Sequence, residues 1–383
     1  MAMETDVIAN LLGDLREEAP DELQVHFLEF EDFWERKLWH ELTMSLIAFF
    51  QKPESQPFRL RLFNQFISDF KSKISPTRYV ELGLFAQNEI QDVDENVKFI
   101  QNIADEVDKP SSQDALVYAL SSLANTQLKK GLDGDAKKIL DRCQSILDAQ
   151  DDMHNTIRAF YYEVYSTYWK HVNNSTMYYR TSLLYLSCID IDAISKADKK
   201  SRAYDLGISA LDSDQIYNFG ELLLHPIVDS LKDTEESWLR DLMFAFNRGD
   251  LQAFDVLQSN ISKNAVLQPH KDFLYEKLSL SALTEAVFRR PPQDRAMTFA
   301  AISNETKVSP DRIEHLIMKA LSLGLLRGSI DQVDEVARIN WVQPKVLDMD
   351  QIEGIRHRLK DWDASVNRLG TWIEGVGKDV WAA

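Results

Sequence analysis

The stretch VSPDRIEHLIMKALSLGLLRGSIDQVDEVARINWV, residues 308–342, decides how the rest of the chain is read. Ser309 precedes Pro310 and Asp311, the order expected of an N-cap, a first-turn proline and an acid in the positive first turn. Ile313, Leu316, Ile317, Ala320 and Leu321 then recur at helical spacing, and Gly324 supplies a stop. LLRGSIDQ and EVARINWV alternate apolar and polar residues around VDE, which predicts a two-stranded hairpin. Upstream, HKDFLYEKLSLSALTEAVFRR predicts a helix ended by Pro291 and Pro292, and MTFAAISNET a short strand running into a small helix. Three helices and a hairpin make a winged helix over 271–345.

A winged helix commonly reads nucleic acid, but this chain has a net charge of -18. Over 294–345 seven basic residues (Arg295, Lys307, Arg312, Lys319, Arg327, Arg338, Lys345) balance seven acidic ones. Phosphate contacts need cations. The outer face of the 310–322 helix offers Glu314, His315, Met318 and Lys319, and the wing tip carries Asp334 and Glu335. No basic stripe exists, so a nucleic-acid partner is not expected.

N-terminal to this module the texture is helical throughout. Gly (13) and Pro (11) are scarce among 383 residues, which excludes a turn-rich all-β fold. In VHFLEFEDFWERKLWHELTMSLIAFF (25–50), Phe27, Phe30, Trp34, Leu38, Leu42, Leu46 and Phe49 form one apolar stripe on one helix or two stacked helices. DENVKFIQNIADEV, DALVYALSSLANTQLKK, DAKKILDRCQSILDAQ and MHNTIRAFYYEVYSTYWKHV follow, each amphipathic and separated by short polar links. Roughly one helix per 20 residues gives a hairpin about every 40, the period of α-solenoids. The aromatic run around FYYEVYSTYWK places Phe160, Val164, Thr167 and Tyr168 at helical spacing, which predicts packing between hairpins.

After the wing, Ile352, Ile355, Leu359, Trp362, Val366, Leu369 and Ile373 step 3, 4, 3, 4, 3, 4. This is a heptad seam with charged flanks, expected to meet partner helices. GVGKDVWAA beyond it suggests no regular structure. The fold class is therefore mostly α: a right-handed, TPR-like solenoid of helical hairpins, a winged helix and a bundle helix. The expected boundaries are a solenoid over 1–170, a second domain over 171–345 (helical part 171–270, winged helix 271–345) and a terminal helix and tail over 346–383.

Catalytic and ligand motifs fail one by one. His40-Glu41 lacks a second His on the same helical face, and the eight His show no ligand spacing. GVGKDV lacks the earlier Gly of a phosphate loop, because Trp372 stands there, and has Asp379 in place of Ser or Thr. No Gly-x-Ser-x-Gly elbow occurs. No catalytic residue, cofactor or metal is expected. Cys143 and Cys188 fall on separate predicted helices and are expected to be free thiols in a reducing compartment, cytoplasm and nucleus. The N-terminus lacks the pattern of a secretory signal, and no apolar run reaches the roughly 18 residues of a membrane span.

Helical hairpins, a charge-neutral winged helix and a lone terminal helix together resemble the PCI-domain family. LEFEDFWERKLWHELT (28–43), SQDALVYALSSLANTQLKKGLDGDAKKIL (112–140), FYYEVYSTYWK (160–170) and INWVQPKVLDMDQI (339–352) are similar to members found in the proteasome lid. The resemblance implies that 171–345 is a PCI domain and that the wing is an assembly surface. Its strand carrying Ile339, Trp341 and Val342 would pair with a neighbouring subunit. It implies other lid subunits as partners through PCI domains and a bundle of terminal helices. It also implies a place near the lid deubiquitinase and the ubiquitin-receptor subunit, a non-catalytic role, and neither nucleic acid nor membrane. The signalosome and a translation initiation factor complex, which use the same fold, are the alternative settings.

Overall fold

The computed structural model describes residues 2–150, 152–232, 234–291, 294–344 and 349–381. It divides into two compact units, residues 1–193 and 194–383. The expected boundary after residue 170 would cut a hairpin in two: helix Asn155–His171 packs along helix Ser175–Cys188, and the observed division keeps the pair whole.

The first unit is helical in every regular element described. The long apolar stripe of 25–50 is two helices, Asp21–Glu35 and Trp39–Phe50, with the chain reversed at Lys37 in a left-handed conformation (φ 59°). Reversal lets Phe27 and Phe30 meet Phe49 edge to face, at 5.4 and 5.5 Å between ring centres. Trp34 and Trp39 close the cluster against Phe66 and Phe70. Later hairpins are set by local chemistry. The Asp92 carboxylate accepts from the Asp94 N–H to start helix Val93–Val107. Gly131 at φ 79° ends Gln113–Lys130, where its freedom from a Cβ makes the left-handed turn cheap. Asn174 caps Ser175–Cys188 through the Met177 N–H.

The aromatic run does pack. Val164 and Tyr168 are buried, Phe160 lies edge-on to Tyr118 at 5.1 Å, and Thr167 is half-buried. The most enclosed member is Tyr161, which the periodicity did not single out. Its hydroxyl donates to Gln144 Oε1 at 3.0 Å, so burial leaves no polar atom unpaired.

In the second unit, helices Lys196–Asp212, Ser237–Arg248 and Leu251–Lys263 lead into Lys271–Arg289, the first helix of the winged module. The module continues through β1 (Ala296–Thr298), helices Phe299–Thr306 and Pro310–Ser322, β2 (Leu326–Asp331) and β3 (Val336–Val342). Its core gathers Leu283, Val287, Met297, Ile302, Ile313, Ile317, Leu326 and Ala337. Ser309 stands at the N-cap position, but its side chain accepts no capping bond. The sheet order is β1-β3-β2, antiparallel throughout, with an irregularity between Arg327 and Gly328. At Gly328 the strands lie so close that a Cβ would overlap the Arg338 carbonyl oxygen.

A buried charge ties this module to the helices before it. Lys277, 1% exposed, donates to the carbonyls of Ala210 (2.8 Å), Leu211 (3.0 Å) and Ser213 (2.5 Å), where helix Lys196–Asp212 ends. All three ammonium protons thereby satisfy carbonyls that a helix C-terminus leaves open. Tyr217, Phe219 and Phe273 turn their rings toward the same nitrogen.

The terminal helix spans Met349–Trp381. It does not stop at GVGKDVWAA: Gly375 and Gly377 weaken a helix but do not break it as proline would, and the turns continue to Trp381. At 33 residues it is about 50 Å long.

Candidate functional site

Two surfaces stand out, the sheet of the winged module and the terminal helix. The sheet does not present the strand that the sequence suggested. β3 is the central strand: Val336–Arg338 pair with β1 on one side, and β2 flanks the other. Ile339 is buried, and its N–H donates to the Arg295 carbonyl at 3.0 Å. The Ile339 N–H is therefore already engaged within the module. Alternation of apolar residues is the same for a central and an edge strand, so ARINWV alone could not distinguish them.

Beyond Ile339, β1 has ended, and Trp341 and Val342 keep only β2 as a described neighbour. Trp341 is half-buried with the Arg327 guanidinium over its ring at 4.6 Å, and Val342 packs partly against the module core. The long free edge is the outer side of β2. Its residues Arg327, Gly328 and Ser329 are exposed.

The face that would enter a DNA groove is poor in free cations. Lys319 is held by Glu276 at 2.6 Å, and Glu314 accepts from Gln332 Nε2 at 3.0 Å. Asp311, Arg312, His315 and Met318 are exposed on the same helix. Lys345, part of the sequence count, lies outside the described residues.

The residues of the expected seam lie along the terminal helix. Ile352, Leu359, Trp362, Val366, Leu369 and Ile373 are all exposed, from 44% at Val366 to 68% at Trp362, and Ile355 is half-buried. Trp372 and Val376 extend the apolar surface, at 63% and 61%. Neither belonged to the predicted seam, although Val376 continues its 3-and-4 step. Scattered exposed apolar residues are ordinary; a continuous ridge of them along one helix marks an interaction surface.

Among the described residues no group of three or more His, Cys, Asp or Glu could hold a metal. The Cys143 thiol is buried and pushed up to about 12 by desolvation, which makes it unreactive. Burial lowers Lys277 to about 7, against the pull of Asp212 and Asp214, yet that nitrogen faces backbone carbonyls and aromatic rings rather than a substrate cavity. No described helix is long and apolar enough to cross a membrane.

The fold and these surfaces define a class: helical repeats, a winged-helix PCI module, and a terminal helix with an exposed apolar seam. Comparison with known families divides the chain in the same order. Residues 26–243 match the PSD13 N-terminal repeats, 245–341 the PCI domain, and 345–377 the Rpn9 C-terminal helix. The probable 26S proteasome regulatory subunit rpn9 of Schizosaccharomyces pombe is 39% identical, over 99% of this chain and 100% of its own. The 26S proteasome regulatory subunit RPN9 of Saccharomyces cerevisiae is 38% identical over 98% of both chains. The 26S proteasome non-ATPase regulatory subunit 13 of Dictyostelium discoideum is 34% identical over 92% of both. The chain belongs to the Rpn9/non-ATPase subunit 13 family of PCI-domain proteins. These near-full-length relatives are proteasome subunits, so the signalosome and the initiation factor complex are not favoured as its setting.

Proposed function

We propose that this chain is a non-catalytic structural subunit of the regulatory-particle lid of the 26S proteasome. In this role it joins other lid subunits through its PCI module and its terminal helix, and so supports ubiquitin-dependent protein degradation. The single observation that carries this reading is the exposed seam of the terminal helix, an apolar surface that its own chain leaves uncovered. The regulatory-subunit relatives and the PCI domain support a scaffold rather than an enzyme.

The contacts divide by chemistry. The outer edge of β2, together with the end of β3 at Trp341 and Val342 that β1 leaves uncovered, takes a neighbouring strand by backbone pairing, which needs no positive charge. The seam from Ile352 to Ile373 takes helices. Placement beside the ubiquitin-receptor subunit and the lid deubiquitinase, and residence in cytoplasm and nucleus, rest on the resemblance alone. Neither nucleic acid nor membrane is a partner in this reading.

The test is capture of the tagged full-length chain from its own cells at native expression, with partners identified by mass. Recovery of lid subunits in equal amounts is expected. Replacing both Leu359 and Trp362 with Asp should sharply reduce that recovery while leaving the isolated chain folded. Normal recovery with the double variant would remove the helix from the proposed role.

A further inference from the structure

The seam raises a question that the assembled setting does not answer: what covers it before assembly. The residues flanking it fit a second copy of the same helix. The first position of each heptad is Ile352, Leu359, Val366 and Ile373 and the fourth is Ile355, Trp362, Leu369 and Val376, a mixed seam that leaves the choice of partner to the flanks. In a parallel, in-register pair, the residue just before each first position faces the residue five further along the partner helix. Arg358 then meets Asp363 of the other copy, and by symmetry the ion pair occurs twice. Ser365 meets Gly370, and Trp372 meets Gly377, which places the largest flanking side chain opposite the smallest residue. An antiparallel pair would instead set like flank against like flank, leaving Arg358 near Ser365 or Trp372 and losing the match.

Both charges are available for this. Arg358 is exposed and has no hydrogen bond or ion pair among the described residues. Asp363 is exposed and accepts from Asn367 Nδ2 at 3.3 Å within its own helix. Arg356 is paired with Glu353 in its own helix, whereas Lys360 and Glu374, also exposed and without a partner among the described residues, lie away from the positions that flank the seam.

We propose that the free subunit pairs through its terminal helix with a second copy, parallel and in register, and that partner helices displace this pair on assembly. The pairing stands on the flank chemistry; only the displacement rests on the assembly role proposed above. The pair is weak enough to exchange. Gly354, Gly370 and Gly375 lower the helix propensity, and a Cβ at each would meet nothing within 4 Å, so no contact within the chain offsets the loss. Pairing hides an apolar ridge that would otherwise be open to adventitious contacts during synthesis.

The experiment measures the mass of the purified full-length chain by sedimentation over a range of concentrations. A reversible monomer–dimer equilibrium is expected. Arg358→Asp places Asp opposite Asp363 and should weaken dimerisation by about tenfold. Asp363→Arg should do the same. The double variant Arg358→Asp/Asp363→Arg restores opposite charges only if the two positions face each other across copies, so it should return to near wild-type. Both sites are exposed, and all three variants should keep the wild-type melting point. A chain monomeric at every concentration overturns the proposal. So does a dimer indifferent to Arg358→Asp, a double variant no better than the singles, or a monomer whose terminal helix is protected from hydrogen exchange by its own chain. Recovery of lid subunits is measured separately, so a monomeric chain that still enters the particle would refute the pairing and leave the assembly role standing.

Discussion

Helices Gln113–Lys130 and Met349–Trp381 are both rich in apolar residues, and they meet opposite fates. Ala115, Leu116, Val117, Ala119, Leu120, Leu123 and Ala124 are all buried, enclosed by Val93–Val107, Asp133–Ala149 and Asn155–His171. Along the terminal helix every described seam residue is exposed or half-buried. The difference lies in the width of the apolar surface. In Gln113–Lys130 consecutive positions such as 115, 116 and 117 are apolar, so no face is left for water, and the helix needs neighbours all round. In the terminal helix two or three positions in each seven are apolar and most of the rest are polar or charged, the narrow stripe of a coiled-coil helix. The wide stripe is covered within the chain, whereas the narrow, regular one stays exposed.

The largest effect should come from inserting a charge into the enclosed helix. Leu123→Asp buries a carboxylate without a partner and should cost on the order of 5 kcal/mol, enough to unfold the first unit at ordinary temperature. Trp362→Asp, the same change on the open helix, should shift the unfolding free energy by less than about 0.5 kcal/mol. Thermal unfolding followed by circular dichroism separates them. Equal losses of stability would break the comparison.

Lys277 sharpens the comparison with a charge in place of an apolar side chain, because its three donors are all used within the chain. Lys277→Met leaves the carbonyls of Ala210, Leu211 and Ser213 without their donor and should cost on the order of 3 kcal/mol. It should also remove a pH dependence. Burial lowers the folded pKa of Lys277 to about 7, below its unfolded value of 10.5. Below pH 7 both states hold the proton and the cost of burying charge is fully present. Above about 7 the folded state releases the proton while the unfolded state keeps it, so wild-type stability gains a rising contribution with pH. Tyr217 and Cys143, both raised to about 12, act in the opposite sense above their ordinary values of 10 and 9, so the lysine is read from the difference in slope between wild-type and Lys277→Met in denaturant unfolding between pH 7 and 8. A Lys277→Met chain with the same slope as wild-type would refute the assignment.

These cases mark what could be read from residues alone. Ile313, Leu316, Ile317 and Ala320 announced their burial through 3.6-residue spacing, and the seam from Ile352 to Ile373 announced its exposure through regular heptads between charges. The sheet order was not legible. β1 is three residues long, and its pairing with β3 is a contact between distant parts of the chain that no local pattern encodes. That is why Ile339 was read as part of an edge and proved to be central. Lys277 was invisible for a related reason: a lysine in SLSAL-type helical sequence looks like a solvated residue until the end of another helix arrives beside it.

Gly328 probes that hidden pairing with a smaller change. A Cβ there would overlap the backbone of Arg338 and approach Ile339 Cα at 3.0 Å, and backbone cannot swing aside as a side chain can. Gly328→Ala should cost about 1–3 kcal/mol and loosen the wing without disturbing the first unit. Hydrogen exchange would show faster exchange at β2 and β3 with unchanged protection in Gln113–Lys130. Unchanged protection of the wing would mean that the strands have room to part.

The smallest expected effect is none at all, and it tests whether the winged helix belongs with the enclosed or the open surfaces. Duplex DNA carries a dense line of negative charge, and a protein of net charge -18 must overcome repulsion before any local contact forms. Locally, Lys319 is engaged by Glu276, Asp334 and Glu335 stand at the wing tip, and Asp311 lies beside Arg312 at the start of the exposed helix. A phosphate at Lys319 would have to displace the Glu276 carboxylate. The purified chain at micromolar concentration should therefore leave duplex DNA unshifted in a gel at physiological salt. Lowering the salt should rescue little, because counterion release cannot help a surface that neutralises no phosphates. A shift that weakened steeply with added salt would show a basic surface at work and would move the module from the scaffold class to the nucleic-acid readers.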